Sequence, residues 1–241
     1  MAFRDRLVLS SGAGGAGLRT RTGFAVMWAV ALLGAAVLRN VDDAGFERFI
    51  GGVSPVLAVA VAGAAGIGAL TTLDSAGWVG TDPSRKGLAR SSLLAVGLGA
   101  AIILADSALG FGEGINVTWP ASLLFYPVMA FIAEVAFHLV PLALIVVASA
   151  RRARRNMGGA AAIGPVVAVA LFEAVYQVLG SATADVSRWL LAYLLVHMVA
   201  FAIAGLTALR GYGFGAMMWL RLVYYAIWHV AWGVLRLELL F

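Results

Sequence analysis

Apolar runs long enough to cross a bilayer recur along this 241-residue chain, with only short connections between them. A membrane-spanning helix needs about 20 predominantly apolar residues. Stretches of that kind fall at roughly 23–38, 50–72, 91–109, 121–149, 159–180, 188–209 and 214–237. Inside lipid the backbone N–H and C=O groups must be satisfied within each segment, so runs of this length dictate helices. The predicted fold class is therefore all-α, a polytopic transmembrane helix bundle of about seven spans. Charged residues make up only 12% of the chain, against about a quarter in a soluble domain. That deficit excludes a water-soluble enzyme. It also argues against nucleic acid as a partner despite a net charge of +5, because the arginines sit in the connections between spans.

Those arginines predict the topology. Residues 1–22 read as a cytoplasmic N-terminal tail, because Arg4, Arg6, Arg19 and Arg21 flank a Gly-rich stretch without the apolar core or cleavage site of a signal peptide. Residues 23–241 read as a single integral membrane domain. With the N-terminus inside, twelve Lys and Arg residues fall on the cytoplasmic side, among them Arg85, Lys86, Arg90, the cluster Arg151, Arg152, Arg154 and Arg155, and Arg210. Four, Arg39, Arg48, Arg188 and Arg236, fall outside. The positive-inside rule then predicts N-inside and C-outside, and the expected location is the plasma membrane of a prokaryote. Glycines such as Gly63, Gly66 and Gly68 suit close helix packing. Pro127 and Pro141 predict kinks on either side of the fourth span's centre.

All three histidines, His138, His197 and His229, and two of the five glutamates, Glu134 and Glu173, lie inside the spans. An ionisable group at mid-bilayer costs roughly 2.5 kcal/mol or more unless it faces a bundle interior, so each is a candidate functional residue. Counted from the outer ends, Glu134, Glu173, His197 and His229 fall in one layer, with His138 a turn further in. Glu134 and His138 stand at i and i+4, where two side chains share a proton, hold a water or ligate a metal. The structural alternative is that they satisfy each other between helices. Glu173 and Gln177 repeat the spacing beside Tyr176, a pattern equally suited to helix packing. Two carboxylates in one layer would raise the pKa of one and make an acid/base pair. His197 reads as either a hydrogen-bonded packing residue or a site residue. Arg221, Tyr225 and His229 form a polar stripe at i, i+4 and i+8, and Arg221 is expected against a carboxylate or near the inner interface.

The order and spacing of these residues resemble the CPBP family of intramembrane endopeptidases, which includes the CAAX prenyl endopeptidases. That pattern is Glu-Glu-x-x-x-Arg, then Phe-x-x-x-His, then His-x-x-x-Asn. Here Ala133-Glu134 through His138 stands at the first, Phe172 to Tyr176 at the second and His229 to Gly233 at the third. Glu134, Phe172 and His229 match, while Ala133, His138, Tyr176 and Gly233 depart from the pattern. The likeness covers about residues 119–237 and leaves the first three spans unassigned. Glu134, Glu173, and His197 with Gly205 also resemble the order of a related group, the PrsW-type proteases.

The resemblance implies an intramembrane peptidase in which Glu134 activates a water and His229 donates to the oxyanion. His138, Glu173 and His197 would be local substitutes in the catalytic set. No cofactor is required by that chemistry, although three histidines and two glutamates are compatible with a divalent metal. The partners it implies are membrane lipid and a membrane-embedded or lipidated peptide substrate. A non-catalytic scaffold or binding protein of the same fold is the alternative, followed by a proton-coupled transporter or a haem protein. The sequence leaves the oligomeric state open.

Overall fold

Every regular element among the described residues is helical, as the apolar runs require. The computed structural model describes residues 4–40, 44–80, 84–153, 163–181 and 186–241. In order these form α1 (Arg4–Leu38), α2 (Ala44–Ile50), α3 (Pro55–Ser75), α4 (Arg85–Leu109), α5 (Ser122–Ala133), α6 (Val140–Ala153), α7 (Ile163–Ser181), α8 (Arg188–Tyr212), α9 (Phe214–Tyr225) and α10 (Trp232–Leu239). A π-helical turn, Glu134–Leu139, joins α5 to α6, and a second, Ala226–Ala231, joins α9 to α10.

Local chemistry sets the helix ends. Pro55 opens α3, where its missing N–H would have had no helical partner. Ser84 caps α4 by accepting from the Gly87 N–H at 3.2 Å. Gly213, at φ 87°, breaks α8 from α9 in a conformation that favours glycine. A side chain there would also strike the Gly80 carbonyl.

Among the described residues six helices are long and apolar enough to cross a membrane: Thr20–Leu38, Pro55–Ser75, Arg85–Leu109, Ser122–Ser149, Ile163–Gly180 and Arg188–Tyr212. The chain is a polytopic helical membrane protein. The seventh expected span, 214–237, forms a continuous helical rod through α9 and α10. It is not among the six, since Arg221, His229 and Arg236 reduce its hydropathy. Large apolar side chains such as Leu33, Leu93 and Leu104 point outward, as suits a lipid-facing surface. Asp106, Glu134, His138, Glu173, Arg221 and Arg236 are buried instead.

The backbone of the expected tail is helical from Arg4 and runs into the first span, which covers Thr20–Leu38. The second span starts at Pro55, not 50, because the Gly51–Gly52 turn separates α2 from α3. Between the two prolines the chain forms a π turn, with the Val140 N–H bonded to the Val135 carbonyl. Pro141 has no N–H to return to Phe137, so the ladder has to shift register nearby. Arg154, Arg155 and the expected start of the fifth span at 159–162 lie outside the described residues.

The small residues of α3 divide by face. A Cβ on Gly63 would fall 1.9 Å from the Trp28 indole, and one on Gly66 would fall 2.4 Å from Phe24. Trp28 is fixed there by donating Nε1–H to the Val59 carbonyl at 3.0 Å. Gly68 meets nothing within 4 Å, so the packing role expected of it is absent. Gly63→Ala is expected to destabilise the α1–α3 contact by about 1–3 kcal/mol through overpacking. Gly68→Ala is expected to be neutral or stabilising by up to about 1 kcal/mol. Thermal and SDS unfolding of the two variants in detergent would check the contrast.

Candidate functional site

Four ionisable side chains from three parts of the bundle close into one ring. Glu134 and His138 lie four residues apart on the first π turn, Glu173 comes from α7 and Arg221 from α9. Glu134 Oε2 meets His138 Nδ1 at 2.5 Å, and Glu134 Oε1 accepts from Arg221 Nε at 2.5 Å. Arg221 Nη2 donates to Glu173 Oε1 at 2.8 Å. The fourth contact, His138 Nε2 to Glu173 Oε2, is 2.8 Å long but lacks hydrogen-bond alignment. All four residues are buried. Above them Phe201 of α8 lies 4.8 Å from the guanidinium carbon, a cation–π contact. Gly205, one turn along the same helix, lies beside the His138 ring, where a Cβ would fall 3.7 Å from it.

The hydrogen-bond inventory constrains the cluster's charge. Both nitrogens of His138 face carboxylate oxygens, and a neutral imidazole has a single N–H. One further proton completes the ring of contacts. With His138 as imidazolium, two cations face two anions and the group is neutral overall. That balance makes burial tolerable, since an unpaired charge in such a setting is far more costly than a matched pair.

The five candidate residues separate into three sets. Glu134, His138 and Glu173 converge, and Arg221, expected against a carboxylate or near the inner interface, binds both carboxylates as the fourth member. His197 stands apart, with Nε2 at 2.9 Å from the Tyr224 hydroxyl and Nδ1 at 3.2 Å from that of Tyr193. His229 lies on the second π turn, where its Nδ1 is 2.6 Å from Asn116 Oδ1 and its ring stacks on Tyr126 at 4.3 Å. Glu173 pairs with His138 and Arg221 in preference to Gln177 as its principal contacts, while Tyr176 packs against Phe137.

His229 lines two adjoining cavities, of about 400 and 300 Å³. Phe49, Gln177 and Tyr225 line both as well. Ala133 and Tyr176 line the smaller, and Arg221, Tyr224 and Trp228 the larger. Most of the remaining wall is apolar. Among the residues lining either cavity there is no carboxylate.

A second buried ion pair fixes the segment that carries Asn116. Asp106 of α4 accepts from Arg236 of α10 through both oxygens, at 2.8 and 3.0 Å, and from the Trp232 indole at 2.7 Å. The same arginine donates to the carbonyls of Phe111, Gly112 and Glu113. Arg236, assigned by the charge count to an outer connection, is in fact fully buried. Asp106 was not among the sequence candidates, although a lone acidic residue in an apolar span was a usable signal. Asn116 gave no such signal, because its partner lies 113 positions away.

No family model matches the chain, and no curated protein or solved structure is detectably similar to it. The site must be read from its own chemistry. The donor set of the buried ring does not suit a divalent ion, because the Arg221 guanidinium already occupies the position between the two carboxylates. Among the described residues no group of three or more His, Cys, Asp or Glu is arranged to hold one.

Breaking a buried charge pair from one side leaves the other charge uncompensated, which costs about 3–5 kcal/mol. Glu134→Gln and Arg221→Met are each expected to lose stability on that scale and to reduce folded yield. His197→Phe is expected to cost less, since it removes only neutral hydrogen bonds. Unfolding midpoints in detergent, with size-exclusion recovery as a second readout, would check the order.

Proposed function

We propose that this protein is a non-hydrolytic, membrane-embedded binding protein, a divergent relative of the CPBP-type intramembrane endopeptidases whose cleft takes a membrane-resident amphiphile. The observation that carries this reading is the lining of the smaller cavity. Three positions at which that family's motifs align, Ala133, Tyr176 and His229, all face it. Of the three, only His229 keeps the family's residue. Glutamate-activated hydrolysis needs a carboxylate lone pair directed at a water. Glu134 spends both oxygens on His138 and Arg221, is fully buried and lines neither cavity. The apolar wall with a small polar cluster is instead the composition of a ligand pocket.

An intramembrane endopeptidase is the second reading, and one observation favours it. His229 has Nδ1 anchored on Asn116 while its ring lines the cavity, which is the arrangement of an oriented general base. In that reading water is activated at His229, and Glu134 serves the fold.

The protein is expected in a prokaryotic plasma membrane, N-inside and C-outside. Arg90 reaches the Tyr212 hydroxyl at 2.5 Å, and the Gly80 N–H bonds to the Leu209 carbonyl. The starts of α4 and α9 and the end of α8 therefore share one end of the bundle, which gathers Arg85, Lys86, Arg90 and Arg210 and supports the positive-inside assignment. The chain has no cysteine, so single-cysteine labelling tests this directly. Lys86→Cys is expected to be shielded from an impermeant maleimide in intact cells, and Glu113→Cys to be labelled. The reverse pattern would invert the topology.

For the binding reading, native mass spectrometry of protein purified in mild detergent is expected to show a retained amphiphile. Ala133→Trp, which fills the smaller cavity, should reduce that retention several-fold. Incubation with transmembrane peptides is expected to leave them intact. Cleavage that disappears in His229→Phe would establish the peptidase reading instead.

A further inference from the structure

We infer that the polar end of the bound amphiphile is a neutral hydroxyl, received jointly by His229 and Tyr225, with Asn116 as the residue that sets the acceptor. This inference rests on the binding reading above and names the ligand's chemistry.

The charge available in the cavity is the first constraint. Arg221 lines the larger cavity, but its Nε and Nη2 are committed to Glu134 and Glu173 and its Nη1 to the Tyr225 hydroxyl at 3.1 Å. Two carboxylates already offset the guanidinium. An anionic head group would find no spare cation there.

The donor and acceptor pattern is the second. The Val117 N–H donates to the Tyr126 hydroxyl at 2.8 Å, and that hydroxyl donates in turn to Asn116 Oδ1 at 3.4 Å. Oδ1 is thereby assigned as an acceptor, so His229 Nδ1, at 2.6 Å, is the N–H nitrogen. The neutral ring then has its lone pair on Nε2. Next to it stands Tyr225, edge-on at 4.8 Å between ring centroids. Its hydroxyl oxygen accepts from Arg221, and its own proton has no acceptor among the hydrogen bonds of the described residues. The two rings touch edge-on and both residues line both cavities, whose walls include Phe49, Ile132, Phe137, Leu194 and Trp228, so one acceptor and one donor serve the same volume. A hydroxyl both donates and accepts, and so satisfies the two together. A carboxylate only accepts, and would oppose the Nε2 lone pair.

Asn116 reaches this site because Gly233 leaves it space. A Cβ at position 233, one helical turn after His229, would fall 3.0 Å from Asn116 Nδ2. The amide that orients the imidazole therefore comes from the 111–121 connection and fills the volume a side chain on the histidine's own helix would take. An asparagine at 233 should supply an equivalent amide once Asn116 is truncated.

The test uses full-length delipidated protein in phosphatidylcholine nanodiscs, with 1-hexadecanol, palmitate and hexadecane as probes and native mass spectrometry as the readout. Hexadecanol is expected to bind about fivefold more tightly than hexadecane, one net hydrogen bond's worth, with palmitate no better than the alkane. Asn116→Ala and His229→Phe should erase the alcohol preference while keeping hexadecane binding, which also reports an intact fold. Asn116→Ala combined with Gly233→Asn should restore the preference. Equal binding of alcohol and alkane by the unaltered protein, or preference for palmitate, overturns the hydroxyl assignment and leaves the binding reading standing. Preference that persists in Asn116→Ala overturns the positioning role. Failure of all three probes to bind overturns the binding reading itself.

Discussion

The ring of Glu134, His138, Glu173 and Arg221 is the constraint on which the rest of this bundle depends. Two carboxylates, an imidazole and a guanidinium in an apolar interior are tolerable only when each charge meets its opposite at hydrogen-bond distance. Those contacts join the turn between α5 and α6 to α7 and to α9. They therefore fix how three spans are rotated about their axes. Apolar packing in lipid supplies little of that specificity, because a lipid tail is as good a neighbour as a leucine. Once the rotations are set, Phe201 and Gly205 of α8 fall over the cluster, and the His229 face of the α9–α10 rod turns toward the cavities.

Both π turns carry a histidine of the candidate set, His138 on one and His229 on the other. Such turns are rare insertions in helices and recur at functional sites. Here they serve different ends. The first feeds a closed, charge-balanced core, whereas the second brings an oriented imidazole to an open volume. The Asp106–Arg236 pair connects the second to the chain around it, since Arg236 holds the carbonyls of residues 111–113 just before Asn116. A closed ionic core and a cavity-facing imidazole thus lie side by side. This is why a count of ionisable residues in the spans overstates the reactive set.

The resemblance to the CPBP peptidases takes on a specific form when the motif positions are followed into space. Ala133, Tyr176 and His229 do gather at one cavity. The residue that matches the motif's glutamate, Glu134, is turned away into the ionic core. The space beside Gly233, the position aligned with that motif's asparagine, is filled by Asn116 from a distant connection.

Much of the architecture was legible in the residues alone, and the reason is local. Hydrophobic run length sets helix number, backbone satisfaction in lipid sets helix type, and the cost of burying Arg221 already called for a carboxylate nearby or a place at the inner interface. The spacing of Glu134 and His138 placed them on one face because four residues are about one turn. Which carboxylates Arg221 meets was a different matter, as were the separation of His197 from the ring, the burial of Arg236 on Asp106 and the approach of Asn116 to His229. Each pairs residues from 27 to 130 positions apart. Helical periodicity fixes direction only within a span. The rotation of one span against another is decided by the sum of interhelical contacts, and only the tertiary structure contains that sum.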